Sequence, residues 1–163
     1  GDIVQPPKFN SKVEVRALDP DDTDAWYDVI ELWVEAREEG HSEAAYRAYS
    51  GRAARHRRSL VRAGKGIWNA AFIGDQLVGS MGVFVFEGRG RFQAVDTHPD
   101  FRRQGICGRL VHDTALSAFE NFDASELVMV AGEGYHAASI YESCGFTPSQ
   151  HTPAVEWWPR ASQ

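Results

Sequence analysis

The chain is poor in residues that could tie it together covalently or through a metal. Only two of its 163 residues are cysteines, Cys107 and Cys144. Two are too few for a disulfide framework, and they form no Cys-x-x-Cys pair, so reduced thiols in a cytoplasmic protein are expected. The histidines, His41, His56, His98, His112, His136 and His151, show no i, i+4 spacing and no nearby cysteine pair. No metal site is expected on that ground. No apolar run approaches the ~18 residues of a membrane span, and no secretory signal is recognisable. Basic residues are outnumbered, 17 Lys and Arg against 23 Asp and Glu, for a net charge of −6. That balance argues against nucleic-acid binding through bulk electrostatics, while a local basic site can still hold an anion. Neither a Gly-Lys-Ser/Thr phosphate loop nor a Gly-x-Gly-x-x-Gly fingerprint occurs.

What is present is an ordinary globular composition, 43% hydrophobic and 25% charged, long enough for one domain with a real core. Residues 1–12 contain Pro6, Pro7, Asn10 and Ser11 and read as a flexible arm; residues 13–163 read as a single domain. Val13–Ala17 alternates as a short strand. Trp26, Val29, Ile30, Trp33 and Val34 share one helical face after the capping-rich run Asp19–Asp24, and that helix should end near Gly40. A second helical region runs from Ser42 to about Ala63, with a break expected at Ser50-Gly51. Its Arg52, Arg55, His56, Arg57, Arg58 and Arg62 read either as a solvated face or as a basic wall near an anionic ligand.

Three strands should follow: Ile67–Ile73, Gln76–Phe86 after a Gly74-Asp75 hairpin turn, and Arg91–Thr97 after the turn Glu87–Gly90. A helix from Gly105 carries Val111, Ala115, Ala118, Phe119 and Phe122 on one side. Glu126–Ala131 is a buried-type strand, His136–Ser143 a short helix, and Phe146 onward with Ala154–Trp158 the last strands. The order β-α-α-β-β-β-α-β-α-β-β describes an α+β protein whose sheet is mixed and mostly antiparallel. The strands flanking the helix from Gly105 must run parallel, joined by a right-handed crossover.

The stretch Val95–Leu110 carries the chemistry. It leaves a strand, breaks at Pro99, passes Arg102 and Arg103, and enters a helix at Gly105. A helix N-terminus offers free N–H donors and partial positive charge. With Gly105 permitting close approach, Gly108 leaving room in the first turn, and two arginines alongside, the expected ligand is a phosphate or pyrophosphate. On the same residues, Phe101-Arg102-Arg103-Gln104-Gly105-Ile106-Cys107 resembles the Arg/Gln-x-x-Gly-x-Gly/Ala motif of the GNAT acyl-CoA N-acetyltransferases. Thr97-His98-Pro99 matches the strand end that precedes that motif. Ile140-Tyr141-Glu142-Ser143-Cys144-Gly145-Phe146 resembles the family's Leu/Ile-Tyr-x-x-x-Gly-Phe signature.

The resemblance implies a GNAT-type sheet with its central parallel pair splayed apart, about four packing helices, and acetyl-CoA as co-substrate. It implies that the backbone of Gln104, Gly105, Ile106, Cys107, Gly108 and Arg109 cradles the pyrophosphate, flanked by Arg102 and Arg103. Val95, Asp96 and Thr97 would pair with the pantetheine arm, and an N–H near Val95 would polarise the thioester carbonyl. Tyr141 would protonate the leaving thiolate. The activity implied is transfer of an acetyl group to a primary amine of a small molecule or peptide; the alternative is an acyl-CoA-binding sensor or interaction module with weak turnover.

The chain departs from the family pattern in three places. Cys107 replaces Gly or Ala, as a tolerated small residue or as a thiol whose pKa is lowered by the helix N-terminus. Gly134 replaces the Asn that helps hold pantetheine. Arg91 and Gln93, placed with Val95 and Thr97 on one strand face, stand where some members carry a catalytic base. Candidates for the base are Glu133 and Glu87, ahead of Asp96 and His136, or none. Trp33, Tyr46, Tyr49, Phe84, Trp157 and Trp158 are candidates for the acceptor side or for core, and the Trp157-Trp158 end for a dimer strand or core.

Overall fold

The computed structural model describes residues 2–132 and 137–151. Its elements are β1 (Glu14–Ala17), α1 (Thr23–Ala36), α2 (Glu43–Arg62), β2 (Gly66–Ile73), β3 (Gln76–Phe86), β4 (Arg89–Thr97), a 3-10 turn (Pro99–Phe101), α3 (Ile106–Asn121), β5 (Glu126–Val128) and α4 (Ala137–Ser143). The strands lie in the order β1-β2-β3-β4-β5. β1 to β4 pair antiparallel, and β4 with β5 parallel. The sheet is mixed and mostly antiparallel, as its element order requires. Among the described residues no helix is long and apolar enough to cross a membrane.

Local chemistry explains most boundaries. The Asp22 side chain accepts from the Ala25 N–H at 3.0 Å and caps α1. Two-residue turns join β2 to β3 and β3 to β4. In the second, Glu87 and Gly88 both have positive φ (51° and 77°), the geometry that matches strand twist. The strand therefore begins at Arg89, two residues earlier than the sequence suggests. The break expected at Ser50-Gly51 does not occur. Ser50 is buried and the helix runs through, its far end held by Arg58 and Arg62, which both donate to the Pro20 carbonyl (2.6 and 2.9 Å). The strand expected from Phe146 does not form through His151, and Ala154–Trp158 falls outside the described residues.

The sheet separates two cores. On one face Val83, Phe92, Ile106, Leu110, Val111, Ala115, Tyr141 and Cys144 pack it against α3 and α4. On the other, Trp26, Val29, Trp33, Ala54, Trp68 and Phe84 pack it against α1 and α2. Trp68 is the wedge of the second core. It is fully buried, with Trp26, Trp33 and Phe84 rings at 5.7, 5.5 and 6.4 Å. Its indole lies flat on Gly82, where a Cβ would stand 2.2 Å from a ring carbon. Only glycine on β3 leaves room for that ring.

Candidate active site

The site begins with an irregularity in β4. Gly82 opposes Gln93 and Ser80 opposes Asp96. One residue of β3 therefore faces two of β4, Ala94 and Val95, and Ala94 takes φ 29°. This bulge reverses the alternation of side chains. Before it, Phe92 enters the α3 core while Arg91 and Gln93 line the α2 side. After it, Val95 packs on the α3 core and Asp96 faces α2. The sequence places Arg91, Gln93, Val95 and Thr97 on one face; the bulge divides them.

β5 pairs with β4 only at Arg89, Gly90 and Arg91, so among the described residues β4 continues past its partner with an open edge. The His98 N–H donates to the Val78 carbonyl of β3 at 2.9 Å. By the period-two alternation of strand backbone, Asp96 also turns its amide to β3, while Val95 and Thr97 turn theirs to the open edge. Of the three expected pantetheine contacts, Val95 and Thr97 thus present backbone groups to the slot. Asp96 does not; its contribution is a side chain on the opposite face.

β4 leads through the 3-10 turn to Gly105, the α3 cap, in the left-handed region (φ 78°). The first helical bond is Arg109 N–H to the Gly105 carbonyl. The N–H groups of Gln104, Gly105, Ile106, Cys107 and Gly108 have no backbone partner among the described residues, the arrangement of donors that suits an anion. The flanking cations divide. Arg103 is exposed, with φ 63°. Arg102 reaches instead to the α1 end, donating to the Ala36 carbonyl at 3.4 Å.

Where the sequence suggests a flexible arm, residues 3–10 pack along α3. The Val4 N–H donates to the Cys144 carbonyl at 3.0 Å, and the Asn10 side chain donates to the Gln104 carbonyl at 2.9 Å. Arg109 stacks on Phe9 with its guanidinium 4.5 Å from the ring centroid, and it pairs with Asp113. A Cβ on Gly105 would meet the Lys8 carbonyl at 2.9 Å, and one on Gly108 the Pro6 ring at 3.0 Å. These glycines therefore admit the arm as well as keeping the helix entrance open.

On the α2 side, Asp96 has no hydrogen-bond or ion-pair partner among the described residues. Burial raises its pKa from 3.8 to about 6, against the opposing fields of Arg57 and Arg102. Arg57 lies over the Trp33 and Trp68 rings, 4.5 and 4.8 Å from their centroids, and burial lowers its pKa. Tyr46 completes the group; burial, then the Asp96 charge, raise its pKa. Beside them opens a cleft of about 520 Å³ between α2 and the β3–β4 hairpin, lined by residues including Tyr49, His56, Arg57, Phe84, Arg91 and Gln93. Arg57 stands in the sequence among a row of basic residues that read either as a solvated face or as a basic wall near an anionic ligand. Its spacing from Ala53, Ala54, Leu60 and Val61, at i±3 and i±4, was the available signal that it points inward.

The remaining candidates are placed as follows. Tyr141 is buried on α4 within the α3-side core. Cys107 does not carry a lowered pKa: burial, then Cys144, push it up to about 12. Burial outweighs the helix-end field there. Glu87 sits in the β3–β4 turn, eight residues from Val95 along β4 and so roughly 26 Å away; the structure does not bring it to the slot. Glu133, Gly134 and His136 lie outside the described residues. Among the described residues no group of acidic, His and Cys side chains could hold a metal ion.

A search of curated proteins finds no significant sequence match. The structure is similar to an aminoglycoside acetyltransferase from an uncultured soil metagenomic sample (16% identity, 91% of this chain and 97% of that one, TM-score 0.68). It is also similar to glucosamine-6-phosphate N-acetyltransferase from Arabidopsis thaliana (12% identity, 89% and 98%, TM-score 0.65). A third is a PaiA N-acetyltransferase from Thermoplasma acidophilum in complex with coenzyme A (12% identity, 86% and 92%, TM-score 0.69). At these identities the likeness is one of fold. The family model for the acetyltransferase (GNAT) domain matches residues 64–148, just over half of the chain. That span covers the bulged strand, the glycine-opened helix and the Tyr141 helix together, and on this ground the chain belongs to the GNAT acetyltransferase family.

Proposed function

We propose that the protein transfers an acetyl group from acetyl-CoA to a primary amine of a small molecule or peptide, by direct attack with both substrates bound. The observation that carries this reading is the edge of β4 beyond Arg91. It is abandoned by β5, carries the Val95 and Thr97 backbone, and runs straight into the unpaired amides of α3.

On this reading the amides from Gln104 to Gly108 hold the coenzyme A pyrophosphate, with Arg103 alongside; the Arg109 amide, expected to join them, is taken by the Gly105 carbonyl. Val95 and Thr97 bond the pantetheine as an added strand would. The Val95 N–H polarises the thioester carbonyl. As the amine nitrogen bonds to the carbonyl carbon, Asp96 accepts the proton it sheds. Tyr141 protonates the sulfur as the carbon–sulfur bond breaks, and solvent returns the proton from Asp96 to Tyr141. Asp96 is preferred over Glu87 because it stands one residue from Val95, faces α2 without a hydrogen-bond or ion-pair partner among the described residues, and ionises near neutrality, where a general base works best. The alternative, a binding-only module, is motivated by the missing base and by Gly134; Asp96 offers a base and so speaks against the first of these.

The test is release of coenzyme A thiol from acetyl-CoA over a panel of primary amines, with mass spectrometry of the acetylated product. Turnover is expected, with kcat/KM rising through about pH 6 as Asp96 ionises, and that limb disappearing in Asp96→Asn. Coenzyme A binding with no acetylated product from any amine would refute the reading.

A further inference from the structure

We propose that the acceptor amine carries a carboxylate or phosphate on the order of 10 Å from its nitrogen, held in the α2–β4 cleft by Arg57 and Arg91; this rests on the acyl-transfer reading above. The cleft's sign is opposite to that of the protein. The chain is net acidic, −6, yet the residues lining the cleft include His56, Arg57, Arg89 and Arg91 and, among the described residues, no acid. Three of the four acidic side chains of α1, Asp28, Glu31 and Glu35, gather at a separate cleft with Asp75 and His98.

The cations are not equally committed. Arg89 is neutralised by Glu126 at 2.7 Å. Arg58 and Arg62 of α2 are spent on the Pro20 carbonyl. Neither Arg91 nor Arg57 has an ion pair or hydrogen bond among the described residues; Arg57 lies over the faces of Trp33 and Trp68 and feels Asp96 only through its field. A guanidinium drawn into an aromatic-walled cleft with no carboxylate at ion-pair distance is costly, and a charge-assisted bond to a ligand anion would offset that cost.

The bulge sets the geometry. It brings Arg91 and Asp96 to the same face of β4, with Gln93 between them. Five residues at strand rise, one of them absorbed by the bulge, separate their Cα atoms by about 13 Å, and the reach of an arginine shortens the span. An ammonium at one end and an anion at the other would each find an opposite charge, and Phe84 and Leu60 give the cleft apolar lining. A polycation would set its second ammonium against Arg57 and Arg91.

The experiment uses amines sharing one six-carbon chain: 6-aminohexanoate, 6-aminohexyl phosphate, 6-aminohexanamide and 1,6-diaminohexane. Two quantities are read for each, kcat/KM by thiol release and affinity for the coenzyme A-loaded protein by calorimetry. The carboxylate and phosphate are expected to exceed the carboxamide tenfold or more in both, with the diamine lowest. Arg91→Gln should bring the carboxylate-to-carboxamide ratio toward one, and Arg91→Glu should invert it. A diamine as good as the carboxylate, a ratio untouched in Arg91→Gln, or anionic amines that neither bind nor turn over would overturn the inference. Arg91-dependent binding without thiol release would sink the transfer reading and leave the acceptor class standing. Equal thiol release from all four amines would do the reverse.

Discussion

Replacing Asp96 by Asn should make the protein more stable at neutral pH while removing its activity. The carboxylate is unpartnered and its pKa is raised from 3.8 to about 6, chiefly by burial. A folded-state pKa above the unfolded value means that the native state binds more protons between the two. Stability is therefore highest below the unfolded pKa and is lost as pH rises through the folded one. A shift of roughly two units corresponds to about 3 kcal/mol over the full range. Because the unfolded carboxylate is already largely ionised at pH 4.5, about 2 kcal/mol of it falls between pH 4.5 and 7.5. Asn has the same shape and no titration, so it should escape this loss. Urea unfolding of both proteins at the two pH values measures the effect as a difference of differences. The stability of Asp96→Asn relative to the parent should rise by about 2 kcal/mol from pH 4.5 to 7.5. A relative stability that stays constant, or falls, would refute the reasoning that the fold holds a destabilising carboxylate at the reaction centre.

Three further outcomes are expected. Gly82→Ala should cost about 1–3 kcal/mol by overpacking, because its Cβ would lie 2.2 Å from the Trp68 ring; thermal unfolding with Trp fluorescence reports both the loss and the disturbed indole. Tyr141→Phe should lower kcat by about a hundredfold or more while acetyl-CoA affinity by calorimetry stays within a few-fold. Cys107, with its pKa pushed up to about 12, and the buried Cys144, also raised, should resist iodoacetamide at pH 8 in the native protein. Both should alkylate in denaturant, as read by mass.

What could be read in the sequence was set by neighbours in the chain. The Gly74-Asp75 turn, the Asp22 cap and the helix opened by Gly105 all depend on a few adjacent residues. The two family motifs extended that reading to the cofactor side. The bulge at Ala94 and Val95 depends instead on how β4 registers against β3, and no local pattern announces it. Missing it put Val95 with Arg91 and left Asp96, a charged residue in a strand that otherwise reads as a pantetheine ladder, behind Glu133 and Glu87 as a candidate base. The arm escaped for a similar reason: Asn10 finds its acceptor 94 residues away, at Gln104. Arg57 was different, since the inward spacing of its helix was visible but outweighed by the crowd of arginines around it.

The shared strand has a consequence for how such a protein changes. On the proposed reading, one peptide addresses two reactants at once, the acyl carrier through its backbone edge and the acceptor through its side chains. The spacing of the Cα atoms that carry the two sets of contacts is written into the backbone of one strand. Substitutions at Arg91 or Gln93 can then alter which amine is accepted without loosening the hold on the carrier, because that hold uses no side chain of the strand. Acceptor range and carrier identity become separately variable, and the bulge is the joint at which they are kept in step.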